Sequence, residues 1–179
     1  MKFLSERISV SETKGSTSII ISPDYSDSKQ SLLTTWIIFW TLGGLVIISQ
    51  LFGHYSQEEK AFLFVWVVFW LYFEYIGLFA WLWKKYGKEK IILKNEKVLY
   101  AKNLKSKNKF VVMEQESITE INRLKNSEKN LLYNLSNSYW NRGNETCEFR
   151  YHGKNIRFGL KLTEEEASKL VSLLKNRIK

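Results

Sequence analysis

Cysteine is nearly absent: Cys147 is the only one in 179 residues, so no intrachain disulfide can form. It lies in a strand-like run of Glu, Phe, Arg and Tyr, where a small buried residue is expected rather than a reactive thiol. The lack of a disulfide framework fits a reducing compartment. Histidine occurs only as His54 and His152, far apart in sequence, and no His, Cys or carboxylate cluster has metal-ligand spacing. No Ser/His/Asp or Cys/His set is recognisable, and no glycine loop that would cradle a phosphate. These absences leave no catalytic residue, no metal site and no cofactor to assign, and the chain is expected not to be an enzyme. Proline occurs once, at Pro23, and so interrupts none of the longer apolar runs. The first 30 residues are mostly polar and lack the apolar core of a secretory signal.

What the sequence has in quantity is aromatic and apolar residues, unevenly spread. It contains seven Trp, nine Tyr and eleven Phe, and eleven of these aromatics fall between Phe62 and Trp83. No residue from Gln30 to Gly53 is charged, and between Ala61 and Trp83 only Glu74 is. Each run is long enough to cross a hydrocarbon core of roughly 30 Å as a helix rising about 1.5 Å per residue. Both are apolar around the whole circumference, unlike the surface helix of a soluble domain. The sequence therefore predicts transmembrane helices over about residues 31–52 and 61–83.

The connection from His54 to Lys60 is short, so the helices must be antiparallel neighbours with both chain ends on one side. Lys84, Lys85, Lys88, Lys90, Lys94 and Lys97 follow the second helix, and Lys14 and Lys29 precede the first, whereas the connection carries only Lys60 beside Glu58 and Glu59. The positive-inside rule then places both termini in the cytoplasm. The expectation is then a multi-pass protein of the inner (cytoplasmic) membrane.

Within the hairpin, Trp36-Ile37-Ile38-Phe39-Trp40 is echoed by Trp66-Val67-Val68-Phe69-Trp70. At i,i+4 spacing each Trp pair shares one helix face. Trp36, Trp40, Trp66 and Trp70 are expected either as interfacial anchors or as packing across the helix pair. Gly43, Gly44 and Gly77 permit close helix approach. Glu74 is costly in a membrane unless neutral, paired or turned to a protein interior. It is expected either to hydrogen-bond a neighbouring helix or to serve a proton- or ion-linked role.

After Trp83 the pattern changes to short strands: Glu89–Leu93, Val98–Lys102, Phe110–Met113, Ser117–Ile121, Leu131–Leu135, Thr146–Tyr151 and Asn155–Gly159. Turn signals separate them at Lys94-Asn95-Glu96, Ser106-Lys107-Asn108, Asn141-Arg142-Gly143-Asn144 and His152-Gly153, with a polar loop over Lys125–Asn130. Thr163 and Glu166 form a capping box for a final helix. Its apolar stripe is Ala167, Leu170, Val171, Leu174 and Ile178. In the N-terminal arm, Ile8 to Val10 and Ser18 to Ile21 flank Lys14-Gly15-Ser16, which reads as a β-hairpin able to add strands to the sheet. The expected organisation is an arm over residues 1–30, a membrane hairpin over 31–83 and a basic cytoplasmic domain over 84–179.

Seven short antiparallel strands followed by one amphipathic helix is the order of a pleckstrin-homology-like (PH-like) barrel. The sequence also resembles a family of bacterial membrane proteins that join a two-helix hairpin to such a domain. The resemblance rests on Gly87-Lys88-Glu89-Lys90-Ile91, Val98-Leu99-Tyr100, and Ile156-Arg157-Phe158-Gly159 before Leu162-Thr163-Glu164-Glu165-Glu166-Ala167. It covers roughly Trp36 onward. It implies an α+β membrane protein: a transmembrane hairpin plus a PH-like antiparallel β-barrel capped by the C-terminal helix. It implies a binding or assembly module and brings no catalytic residues.

Charge is the clearest chemical feature outside the hairpin. The chain carries a net +9, and Lys84 to Lys109 holds ten Lys against two Glu. Lys84, Lys85, Lys88 and Lys90 sit just inside the expected membrane, where each basic residue is attracted to anionic lipid by about 1 kcal/mol. Membrane lipids are thus expected partners, together with a protein partner or self-association. Nucleic acid is not expected. Tyr133, Tyr139, Trp140 and Tyr151 could stack on bases, but no recognition helix or RNA-binding motif accompanies them. The leading expectation is a non-catalytic, membrane-anchored binding or scaffolding module. The alternative is a small subunit or homo-oligomer of a transport or envelope system that uses Glu74.

Overall fold

Alternating apolar residues in the arm form three strands, β1 (Lys2–Phe3), β2 (Ile8–Thr13) and β3 (Ser16–Ile21). The structure, a computed structural model, describes residues 2–104, 109–124 and 144–178. Two long helices follow the arm, α1 (Asp27–Gln50) and α2 (Gln57–Tyr86), and then strands β4 (Lys88–Lys94), β5 (Lys97–Asn103) and β6 (Val111–Glu114). A 3-10 turn, Gln115–Ser117, leads to β7 (Ile118–Arg123), β8 (Glu145–Tyr151) and β9 (Lys154–Leu160), and α3 (Glu164–Arg177) follows. The protein is α+β, and all its described strand pairs are antiparallel.

Both long helices are long and apolar enough to cross a membrane. At about 1.5 Å per residue, 24 residues span about 36 Å and 30 residues about 45 Å. Each exceeds the sequence-based bounds at its start, and α2 also at its end. The first turn of α2 is set by a capping box in the connection. Ser56 Oγ accepts the Glu59 N–H, and Glu59 Oε2 accepts the Ser56 N–H at 2.8 Å. At the other end Gly87 N–H closes the helix on the Trp83 carbonyl at 2.7 Å.

The arm is part of the sheet. β3 pairs with β4 over its whole length, with Ile19 opposite Ile91 and Ile21 opposite Glu89. Thr17, Ile19 and Ile21 on β3 and Glu89, Ile91 and Leu93 on β4 all face inward, as a period of two requires. The result is a six-stranded sheet in sequence order, β1 to β6, facing a three-stranded sheet, β7-β8-β9. Ile8, Ile19, Ile91, Met113, Phe149 and Phe158 are among the core residues with no exposed surface. Helix α3 adds Ala167, Leu170, Val171 and Leu174 to that core. Its expected capping box is present, with Thr163 Oγ1 accepting the Glu166 N–H and Glu166 Oε2 the Thr163 N–H.

The expected barrel does not close: the sheets remain two. The larger sheet ends at β1 and β6, and among the described residues neither pairs with a strand of the smaller sheet. The 3-10 turn after β6 then carries the chain away from the larger sheet, and β7 pairs with β8 instead. Ser117 belongs to that turn, so β7 starts one residue later than expected. The expected strand Leu131–Leu135 and loop Lys125–Asn130 lie outside the described residues, as do Ser106 to Asn108 and Asn141 to Gly143 of two turn signals. The turns at Asn95-Glu96 and His152-Gly153 form as two-residue hairpins with both residues at positive φ. That geometry matches the right-handed twist of the paired strands.

Candidate functional site

The helix pair is joined by a seam that repeats every three or four residues. α1 buries Gln30, Leu33, Ile37 and Gly44, and α2 buries Val67, Trp70, Glu74, Gly77, Ala80 and Lys84 among others. This spacing keeps one stripe of each helix facing its neighbour. Glycine admits tryptophan at two points. A Cβ on Gly44 would stand 2.0 Å from Trp70 Cε2, and one on Gly77 would stand 3.2 Å from Trp36 Cζ3. Trp70, 6% exposed, donates from Nε1 to the Trp40 carbonyl at 3.0 Å. The Trp36 and Trp40 rings stack 5.3 Å apart, and Trp40 lies 6.5 Å from Trp66 across the pair. The structure thus brings all four tryptophans onto the helix interface, although Trp36 keeps 37% of its surface.

Glu74 lies in the same seam, 9% exposed. Its Oε1 is 2.8 Å from Thr41 Oγ1 on α1, and that hydroxyl is also 2.8 Å from the Ile37 carbonyl. A hydroxyl has one proton to donate, so Thr41 serves these acceptors in turn or shares its proton between them. Glu74 Oε2 is buried with no hydrogen-bond partner among the described residues.

Where the hairpin meets the sheets, a polar clasp forms around Glu89. This side chain, 1% exposed, accepts from the N–H groups of Gly159 and Leu160 at 2.8 Å each and from the Tyr100 hydroxyl at 2.9 Å. It therefore links β4 of the larger sheet to β9 of the smaller one. Arg7, from the arm, donates to the Lys161 carbonyl at 2.6 Å, the Leu160 carbonyl at 3.0 Å and the Ser22 carbonyl at 3.2 Å, and pairs with Glu166 at 3.6 Å. Gly159 at φ 74° and Lys161 at φ 52° turn the chain out of β9. At Gly159 a side chain would also collide with Leu162 and Thr146.

The four lysines singled out from sequence separate here. Lys85 and Lys88 are exposed and Lys90 half-buried. Lys85 Nζ lies 4.9 Å from the Trp81 ring centroid and 5.5 Å from that of Tyr86, within cation–π range. Lys84 is buried, with only 3% of its surface exposed. The reason is position: it stands seven residues after Gly77 and four after Ala80, on the buried stripe. Trp81 Nε1–H donates to Thr34 Oγ1 at 2.8 Å, which ties the two helices together toward the hairpin base. Burial holds the Lys161 ammonium below the usual lysine range; Asp24 opposes this, while Arg7 and Lys29 add to it.

Elsewhere, burial pushes the Cys147 thiol up to about 11, against a weaker opposing hydrogen bond from Thr146. His54 lies in the α1–α2 turn and His152 in the β8–β9 turn. A groove of about 440 Å³ at the turn end is lined by Gln50, Tyr55, Glu58, Glu59, Phe62 and Leu63. No group of three or more potential metal ligands occurs among the described residues. Of the aromatics considered for base stacking, Tyr133, Tyr139 and Trp140 lie outside the described residues, and Tyr151 packs on His152 at 4.3 Å.

Sequence reasoning missed Glu89, Arg7, Lys161 and Thr41. Glu89 did leave a signal: an acid at an inward-facing position of an alternating strand must have buried donors to meet it. Arg7 and Lys161 left none, because their partners are backbone carbonyls and charges brought close only by the fold. Compared with protein-family models and with curated proteins, the chain matches none.

Proposed function

We propose that this protein is a membrane-anchored, non-catalytic binding or scaffolding module whose two-helix hairpin holds a PH-like domain at the cytoplasmic face. One observation carries this reading. The chain enters the hairpin from β3 and leaves it into β4, and these two strands pair along their length. A helix pair with apolar side chains turned outward, among them Phe39, Phe62, Phe64, Phe69 and Tyr75, thus rises from a single sheet. Outward-facing apolar side chains over such a length suit lipid and not water. The strand order with its closing helix α3 supports kinship with PH-like modules of bacterial membrane proteins, and the basic flank supports an inner-membrane setting with both termini cytoplasmic. Lys85 and Lys88 then face the anionic headgroups.

The intrahairpin partner of Glu74 favours this reading over a transport subunit. Helix pairing accounts for Glu74 Oε1, which meets Thr41 of its own chain, while Oε2 has no partner among the described residues. The test is crosslinking of the tagged full-length protein in its native membrane, followed by mass spectrometry of what co-purifies. A reproducible protein partner, recovered equally well with Glu74→Gln, is the expected result. Self-crosslinks alone, lost in Glu74→Gln, would instead favour an oligomer that works through Glu74.

A further inference from the structure

We propose that the outer face of the six-stranded sheet is a docking surface for an acidic amphipathic helix of a partner protein, seated on an apolar row of Ile92, Leu99 and Val112 between lysine margins. The inference rests on the scaffold reading above and names the surface and the partner chemistry. Strand register builds the row. Ile92 on β4 stands opposite Leu99 on β5, and Leu99 stands opposite Val112 on β6. Each alternates with core residues on its own strand, Ile91 and Leu93, Val98 and Tyr100, and Met113, so all three point away from the core. Ile20 on β3, opposite Lys90, extends the row diagonally. The solvent side of an antiparallel sheet is normally polar. Single exposed apolar residues need no explanation, but three aligned on neighbouring strands form a contiguous patch. Val112 keeps 50% of its surface, and Ile92 and Leu99 are half-buried.

Charge sets what fits there. Lys88 and Lys90 border the row on the side of α2, and Lys94 and Lys97 border it on the other. Lys94 and Lys97 stand directly opposite one another, where like charges repel. Glu96 in the turn between them and Glu114 opposite Lys97 are the acids at this margin. None of the four lysines forms an ion pair among the described residues. Lys90 and Lys94 are four residues apart on one strand, a span of about 13 Å at about 3.3 Å per residue. An α-helix with its side chains is about 10–12 Å wide, so one lying along the row, across the strands, fills the space between the margins. Its apolar stripe meets Ile92, Leu99 and Val112, and carboxylates on both of its flanks reach the lysines. A second copy of this chain fits less well, because it would set the same lysines against one another.

The experiment uses the full-length protein in its native membrane, with the photo-crosslinking residue p-benzoylphenylalanine in place of Leu99 or Val112, and of Lys14 or Lys154 for reference. Adducts are digested and the crosslinked stretch is sequenced by mass spectrometry. Leu99 and Val112 should give adducts to one stretch of a partner protein that carries Asp or Glu on both sides of an apolar stripe at helical spacing; Lys14 and Lys154 should not. Lys94→Glu with Lys97→Glu should lower the yield about fivefold, the scale of two exposed ion pairs lost. Lys154→Glu with Lys175→Glu, both exposed on other elements, should leave it unchanged. If replacement of Leu99 prevents folding, Val112 still decides. Yield lowered equally by both double variants would mean attraction by net charge alone and overturn the surface. So would adducts to lipid, to a second copy or to a stretch without acidic residues, and so would the absence of adducts from Leu99 and Val112. Protein adducts from Lys14 or Lys154 alone would remove this inference and leave the scaffold reading. No protein adduct from any of the four positions would remove both.

Discussion

Gly44 is the residue on which the helix pair most depends. The indole of Trp70 occupies the space a side chain would need, so Gly44→Ala forces one of the most buried rings in the hairpin to move. Overpacking of this kind costs about 1–3 kcal/mol. Gly44→Ala is expected to lower the midpoint of thermal unfolding in detergent, whereas Gly43→Ala, whose added Cβ meets nothing within 4 Å, should leave it unchanged. Equal midpoints for the two variants would show that the Trp70–Gly44 contact does not hold the hairpin.

Cys147 gives a second test at this scale. Its thiol is raised from the ordinary 9.0 to about 11, so the folded state favours the protonated form. The associated stability is fully present below about 9 and is lost as pH rises through about 11. Iodoacetamide at neutral pH should therefore leave Cys147 unmodified in the native protein and react with it after denaturation. Rapid native labelling would place the thiol outside the core.

Among the elements, the arm adds strands to the sheet, as its hairpin pattern suggests. Ile8, Val10, Ile19 and Ile21 enter the same core as Phe149 and Phe158. Burying such a side chain contributes roughly 1.5–3 kcal/mol, against a total stability of about 5–15 kcal/mol for a typical domain. Deletion of residues 2–22 is thus expected to leave the segment after α2 without cooperative unfolding, and to open it to limited proteolysis. An unchanged digestion pattern would mean that the arm is an accessory and not part of the core.

The same element shows where sequence reading stops. The arm's hairpin, the capping box of α3 and the two-residue turns rest on residues a few positions apart, and local chemistry announces them. The Ser56–Glu59 box was equally local but lay hidden in what reads as a polar connection. Strand partners are set by contacts far apart in sequence. Nothing between Ile8 and Ile21 states that β3 will pair with β4 along its whole length. Within the candidate site, Glu74 and the tryptophans stood out because polar and large aromatic residues are conspicuous in apolar helices. The buried placement of Lys84 was hidden by the basic run around it, although the stripe through Gly77 and Ala80 leads to it.

For the whole molecule, the sheets and the helix pair form a linked system. Arg7 ties the arm to the end of β9, Glu89 ties the strand after α2 to the same place, and the Trp81–Thr34 bond fixes the helices above them. Such a design suits a domain that must be held in fixed relation to a membrane surface. It requires the α1–α2 turn to emerge on the side opposite the arm and the sheets.

The most direct test of this arrangement is labelling of single introduced cysteines by a membrane-impermeant maleimide in intact cells, before and after permeabilisation. Positions His54, in the α1–α2 turn, Lys14, in the arm, and Lys154, at the start of β9, are all exposed and suit the purpose, while buried Cys147 should stay silent. His54→Cys is expected to label in intact cells, and Lys14→Cys and Lys154→Cys only after permeabilisation. Labelling of Lys14→Cys or Lys154→Cys in intact cells, or equal labelling of all three positions in protein washed free of the membrane, would contradict a cytoplasmic domain held on a transmembrane hairpin.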